Sequence, residues 1–165
     1  MTTATTPFWR SPFKTILLAG FVAGTLDMLG ALLVYVVILD KTTASKLLRG
    51  IASGVFKKQA MTGGTEMELY GILFHYIIAF AFTIFFFIIF PYISFLRKQK
   101  ILSGLLYGIF VWCVMNLVVL QIVLANPAPF KLKSALIGAS ILMVMIGLPL
   151  SFFANKYYGN KLRGS

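Results

Sequence analysis

Four stretches of the chain carry almost no charge: residues 15–39, 69–90, 101–124 and 134–153. A hydrophobic run of about 18 or more residues, rising about 1.5 Å per residue, can cross the ~30 Å hydrocarbon core of a bilayer. Inside lipid a backbone must satisfy its own polar groups, so runs of this length span as helices. The sequence therefore predicts an all-α membrane protein, a four-transmembrane-helix bundle forming a single membrane domain over residues 1–165. Composition agrees. Hydrophobic residues make up 59% and charged residues 12%, against about 45–50% and 25% in soluble domains. An ordinary soluble globule and a disordered chain are both excluded.

Between the first two spans, about residues 43–59, the pattern changes. Leu47, Leu48, Ile51, Ala52, Val55 and Phe56 recur at helical spacing, flanked by Lys46, Arg49, Lys57 and Lys58. Thr43 or Ser45 can cap the start. The segment is too short and too charged to span. It fits an amphipathic helix in the membrane interface, with Leu47, Ile51 and Phe56 as its interfacial residues. It equally fits a helix packed on the end of the bundle. Thr62-Gly63-Gly64-Thr65 and Asn126-Pro127-Ala128-Pro129 read as turns. Eight of the sixteen phenylalanines fall in residues 74–95, which predicts a largely lipid-facing second span, ended or kinked by Pro91. Lys156, Tyr157 and Tyr158 read as an interfacial anchor.

The formal charge is +11. Its basic residues lie between apolar stretches, so membrane lipids with anionic headgroups are the expected counter-charge and nucleic acid is not an expected partner. With four spans both termini share a side. Basic residues divide 8 on that side to 7 on the other, and those nearest the helix ends favour cytoplasmic N- and C-termini. The apolar run behind residues 1–14 is too long for a signal-peptide core and reads as a retained signal-anchor. One cysteine, Cys113, excludes an internal disulfide or CxxC site and reads as a small apolar filler. One histidine excludes bis-His haem ligation within one chain. No nucleotide, nucleophile-elbow or zinc motif occurs, so no cofactor or metal is expected.

Asp27 is the sharpest chemical signal, an acid near the middle of the first span. On a helical wheel it shares a face with Gly20, Ala23, Gly24, Gly30 and Ala31. Gly20, Gly24 and Gly30 read as helix-packing residues, because small faces admit a second helix or a second copy. Asp27 then points inward, as a proton- or cation-binding carboxylate or as an interhelical clamp. His75, Asn116 and Ser140 fall at similar depth in the other spans. Together with Asp27 they predict an intramembrane polar pocket, or else a dry hydrogen-bond network that selects helix partners. His75 with Glu68 is the one acid–base pair an enzyme could use.

The ordered set Gly24-Thr25-Leu26-Asp27, Ile51-Ala52-Ser53-Gly54, Gly71-x-x-x-His75, Tyr107-Gly108, Met115-Asn116-Leu117-Val118-Val119 and Ile146-Gly147-Leu148-Pro149 resembles a family of uncharacterised bacterial four-span inner-membrane proteins. The resemblance covers about residues 15–155. It implies the fold and a bacterial inner-membrane location, and it brings no activity with it. Where that family often carries a histidine ahead of the fourth-span Met, Leu142 stands here, which speaks against a metal or haem role. Two readings of function follow. The first expects proton- or cation-linked transport through the pocket around Asp27, in a homo-oligomer. The alternative expects a non-transporting scaffold or accessory protein that uses its amphipathic segment for lipid or partner binding. A lipid- or quinone-directed enzyme is a weaker third, for want of a metal or nucleophile motif.

Overall fold

A computed structural model describes residues 11–123 and 131–163, with side chains to Gly159. Among the described residues the order is α1 (Pro12–Ile38), α2 (Ala44–Phe56), α3 (Lys58–Thr62), α4 (Thr65–Ile89), α5 (Ser94–Lys98), α6 (Lys100–Val123) and α7 (Leu132–Gly159, helical on to Arg163). α1, α4, α6 and α7 are each long and apolar enough to cross a membrane, and they form the four-span bundle. α2 is the amphipathic segment. The 126–129 turn, the N-terminal tail to residue 10 and the basic side chains of the last residues lie outside the described residues.

Local chemistry sets the helix ends. Pro12 opens α1, where its missing N–H costs nothing, and the Ser11 hydroxyl accepts the Lys14 N–H at 3.4 Å. Thr43 caps α2 by accepting the Lys46 N–H at 3.2 Å. α4 starts four residues ahead of the apolar run. Glu66 and Glu68 sit in its first turn, where the helix dipole favours acids, and Glu66 accepts the Gly64 N–H at 2.9 Å. Three spans contain π-helical turns: Leu32–Ile38, Val114–Val119 and Met143–Gly147. The last has an evident cause. Pro149 offers no N–H and its ring would strike the residue-145 carbonyl, so the ladder loosens just ahead of it.

α1 packs between α4 and α7, and α6 packs on the far side of α7. The apolar core lies in the half of the bundle nearer the termini. Ala19, Ala23, Phe86, Phe90, Leu150 and Ala154 form its centre. α6 meets α7 backbone to backbone. A Cβ on Gly147 would overlap the Gly104 carbonyl, and one on Gly108 would overlap the Met143 backbone. Gly20 and Gly24 face Phe80, Tyr76 and Ala79 of α4, whereas Gly30 faces Met145 and Ile141 of α7. The small face of α1 is thus filled from within the chain and is not free as a seam between copies.

Two expectations about aromatics are corrected. The second span is not simply lipid-facing, because Phe86, Phe87 and Phe90 are buried. Tyr157 is buried too, and Tyr158 donates to the Phe87 carbonyl at 2.8 Å while stacking on Phe90. These tyrosines join α7 to α4, because α7 runs ten residues past its predicted end at residue 153.

Candidate functional site

The most built feature outside the core is α2 on the end of the bundle. α2 runs from α4 to the end of α6. At one end the Leu48 carbonyl lies where a Cβ on Gly71 would be, and at the other Gly54 meets Val123. Glu68 accepts from the Ser45 hydroxyl at 2.5 Å and from Arg49 at 3.0 Å. Lys57 closes the far end by donating to the Val123 carbonyl at 2.6 Å, one of the last carbonyls of α6. Ala52 is fully buried, and Leu47, Ile51 and Phe56 are half-buried. Phe56 lies against Tyr70 and Phe74, with centroids 4.9 and 6.0 Å away. The opposite edge stays open: Val55, Met61, Leu69 and Tyr70 are exposed apolar side chains, beside exposed Lys46 and Lys58. Of the two predicted placements, packing on the end of the bundle is the one seen, and the docked α2 still offers an apolar edge rimmed by cations.

The intramembrane polar residues do not converge on one point. A cavity of about 340 Å³ opens at the α2 end between α1, α6 and α7, and its wall includes Asp27, Tyr35, Trp112, Asn116, Lys131 and Ser134. Two of the four predicted pocket residues, Asp27 and Asn116, meet there. Asn116 turns its amide back to the Trp112 carbonyl at 3.0 Å. His75 lies elsewhere, on the α1–α4 seam, where its Nε2–H donates to the Gly24 carbonyl at 2.8 Å. Ser140 is exposed and donates to the Leu136 carbonyl of its own helix at 2.8 Å. Glu68 is engaged by Ser45 and Arg49, so His75 and Glu68 form no acid–base pair. The seam also holds a contact the sequence reading missed, Thr25 Oγ1 to Tyr76 Oη at 2.8 Å. The small residues Gly20 and Gly24 beside Thr25, which let α4 approach closely, were its only signal.

The transport reading is overturned by this arrangement. Among the described residues no Asp, Glu, Lys, Arg or His is buried; the buried polar side chains are Thr15, Thr83, Ser103 and Ser151. Thr83 donates to its own helix, and Ser151 donates to the Lys100 carbonyl at 2.6 Å. Asp27 is half-buried on a cavity wall. Beyond it, toward the termini, Ala19, Ala23, Phe86, Phe90 and Leu150 fill the bundle. A coupled route needs an enclosed ionisable group reachable from both faces, and this apolar layer closes one of them. Asp27→Asn is accordingly expected to change stability by less than about 1 kcal/mol, as for substitutions off the core. Thermal unfolding in detergent measures this, and a loss above roughly 3 kcal/mol would identify a structural clamp instead.

No protein-family model, no curated protein and no solved structure matches the chain.

Proposed function

We propose that this chain is a non-transporting membrane scaffold or accessory protein, with the α2 surface as its working face. The observation that carries this reading is the docking of α2 through Leu48–Gly71, Arg49–Glu68 and Lys57–Val123, which holds an apolar, cation-rimmed edge at the end of an otherwise apolar bundle. Such an edge takes up lipid or an apolar partner segment. Lys14, Arg97, Lys98, Lys100 and Lys156 lie near helix ends on the terminus side, which supports cytoplasmic termini and a bacterial inner-membrane location. Self-association would use lipid-facing side chains, since α4 and α7 fill the small face of α1.

The test ranks two regions. In cells lacking the protein, a chain carrying Leu47→Ser, Ile51→Ser and Phe56→Ser is expected to lose function, because three half-buried apolar side chains together contribute roughly 3 kcal/mol or more. Asp27→Asn is expected to restore function fully. Insertion of both variants is verified by membrane fractionation. The reverse ranking overturns the proposal.

A further inference from the structure

α4 and α6 are consecutive spans joined through α5, yet their backbones stay apart. Side chains bridge the gap: Tyr107 Oη donates to the Phe82 carbonyl at 2.6 Å, and the Phe86 and Tyr107 rings pack at 4.4 Å. Outside that bridge a groove opens on the outer surface of the bundle. Two hollows of about 330 and 220 Å³ follow one another along it and share Phe85 and Phe110, whose rings stack at 5.6 Å. From Ala81 to Ile89 the groove runs about 12 Å along α4, most of the ~15 Å of hydrocarbon in one leaflet. Its walls are apolar, and Ile93 and Leu96 belong to its lower end.

That lower end adjoins α5. Arg97, Lys98 and Lys100 follow Leu96 directly, and all three are exposed. Arg97 reaches only the Ser94 hydroxyl, at 3.3 Å. No acid lies at this end of the bundle: Asp40, Glu66 and Glu68 belong to the α2 end, and Asp27 lies within α1. An uncompensated cationic turn beside an apolar slot about one leaflet deep fits a molecule with an anionic head and an alkyl tail. A soluble anion would leave the slot unused. A second copy in the same orientation would bring the same acid-free end against this one and raise the repulsion.

We infer that the α4–α6 groove holds an acyl chain of one anionic phospholipid, whose phosphate lies against Arg97, Lys98 and Lys100. The site is fixed in place and lies at the opposite end from α2. It depends on the four-span topology and not on the accessory role, so either can fail alone.

Native mass spectrometry of the full-length protein in detergent, given equal phosphatidylglycerol and phosphatidylcholine, tests the site. One phosphatidylglycerol is expected to be retained with at least ~10-fold preference, since each cation at such a surface favours an anionic lipid. Added salt should reduce that preference. The triple variant Arg97→Ser, Lys98→Ser, Lys100→Ser is expected to lose the preference. Leu106→Trp is expected to lower retention by a similar factor with every charge intact; Leu106 is 47% exposed, so the indole enters the groove and not the core. Lys41→Ser with Lys133→Ser, two exposed cations at the other end, should change nothing. Absence of any preference in the unaltered protein overturns the site, as does loss in the charge variant alone, which would mean surface pairing without the groove. A dimer that forms as lipid is removed would overturn it also, by making the groove an interface between copies.

Discussion

Gly147→Leu is expected to abolish the folded bundle. Between apolar helices in lipid there is little hydrophobic driving force, so association rests on close packing and hydrogen bonds. At the α6–α7 crossing the packing is backbone on backbone. A Cβ on Gly147 overlaps the Gly104 carbonyl, and a Cβ on Gly104 lies 2.8 Å from the Gly147 carbonyl. Neither neighbour is a side chain that can rotate away, so the helices themselves must separate. Overpacking in a core costs about 1–3 kcal/mol when side chains can adjust. A leucine here forces backbone displacement and exceeds that range, which consumes much of the ~5–15 kcal/mol that stabilises a typical domain. Size-exclusion of a detergent extract should show aggregate in place of a monodisperse peak. Gly50 in α2 is the control, since a Cβ there meets nothing within 4 Å. Gly50→Ala should be neutral or stabilise by up to about 1 kcal/mol through helix propensity. A folded, monodisperse Gly147→Leu protein would refute the close crossing.

Hydropathy made the four spans legible, because lipid leaves a long apolar run one backbone solution. Their ends were less legible. Thr65–Glu68 is polar by composition but helical by dipole and capping, and Tyr157 and Tyr158 face α4 because α7 continues past its predicted end. The side-chain faces failed where helical geometry changed. Ser140, Gly147 and Ser151 share a face on an uninterrupted α-helix. The π turn at Met143–Gly147 inserts residues into the turn, and each shifts the phase by about 100°. Gly147 and Ser151 therefore face α6 while Ser140 faces outward. Asn116 lies inside a π turn of its own. The Thr43 cap was legible, but the hydrogen bonds between spans were not: His75 bonds a carbonyl of α1, and no local pattern marks which carbonyl a histidine will meet.

The second large effect is expected at Gly71, and it separates two ways of holding α2. One is electrostatic. Glu68 accepts from Arg49 at 3.0 Å, with both side chains about a quarter exposed. An ion pair so placed is screened by solvent and holds weakly, so Glu68→Ala should loosen α2 only slightly. The other is steric. The Leu48 carbonyl occupies the space a Cβ on Gly71 would need, so Gly71→Leu drives α2 off α4. The same change leaves α4 intact, because leucine is a better helix former than glycine and raises hydropathy. Accessibility of residue 52 reads the difference. Ala52 is fully buried under α2, so Ala52→Cys in a Cys113→Ser background should resist a membrane-impermeant maleimide. Adding Gly71→Leu should raise its labelling rate at least ~10-fold, and adding Glu68→Ala distinctly less. Rapid labelling of Ala52→Cys with Gly71 in place would show α2 undocked from the start. The held, cation-rimmed edge would then not exist, and the accessory reading would fall with it.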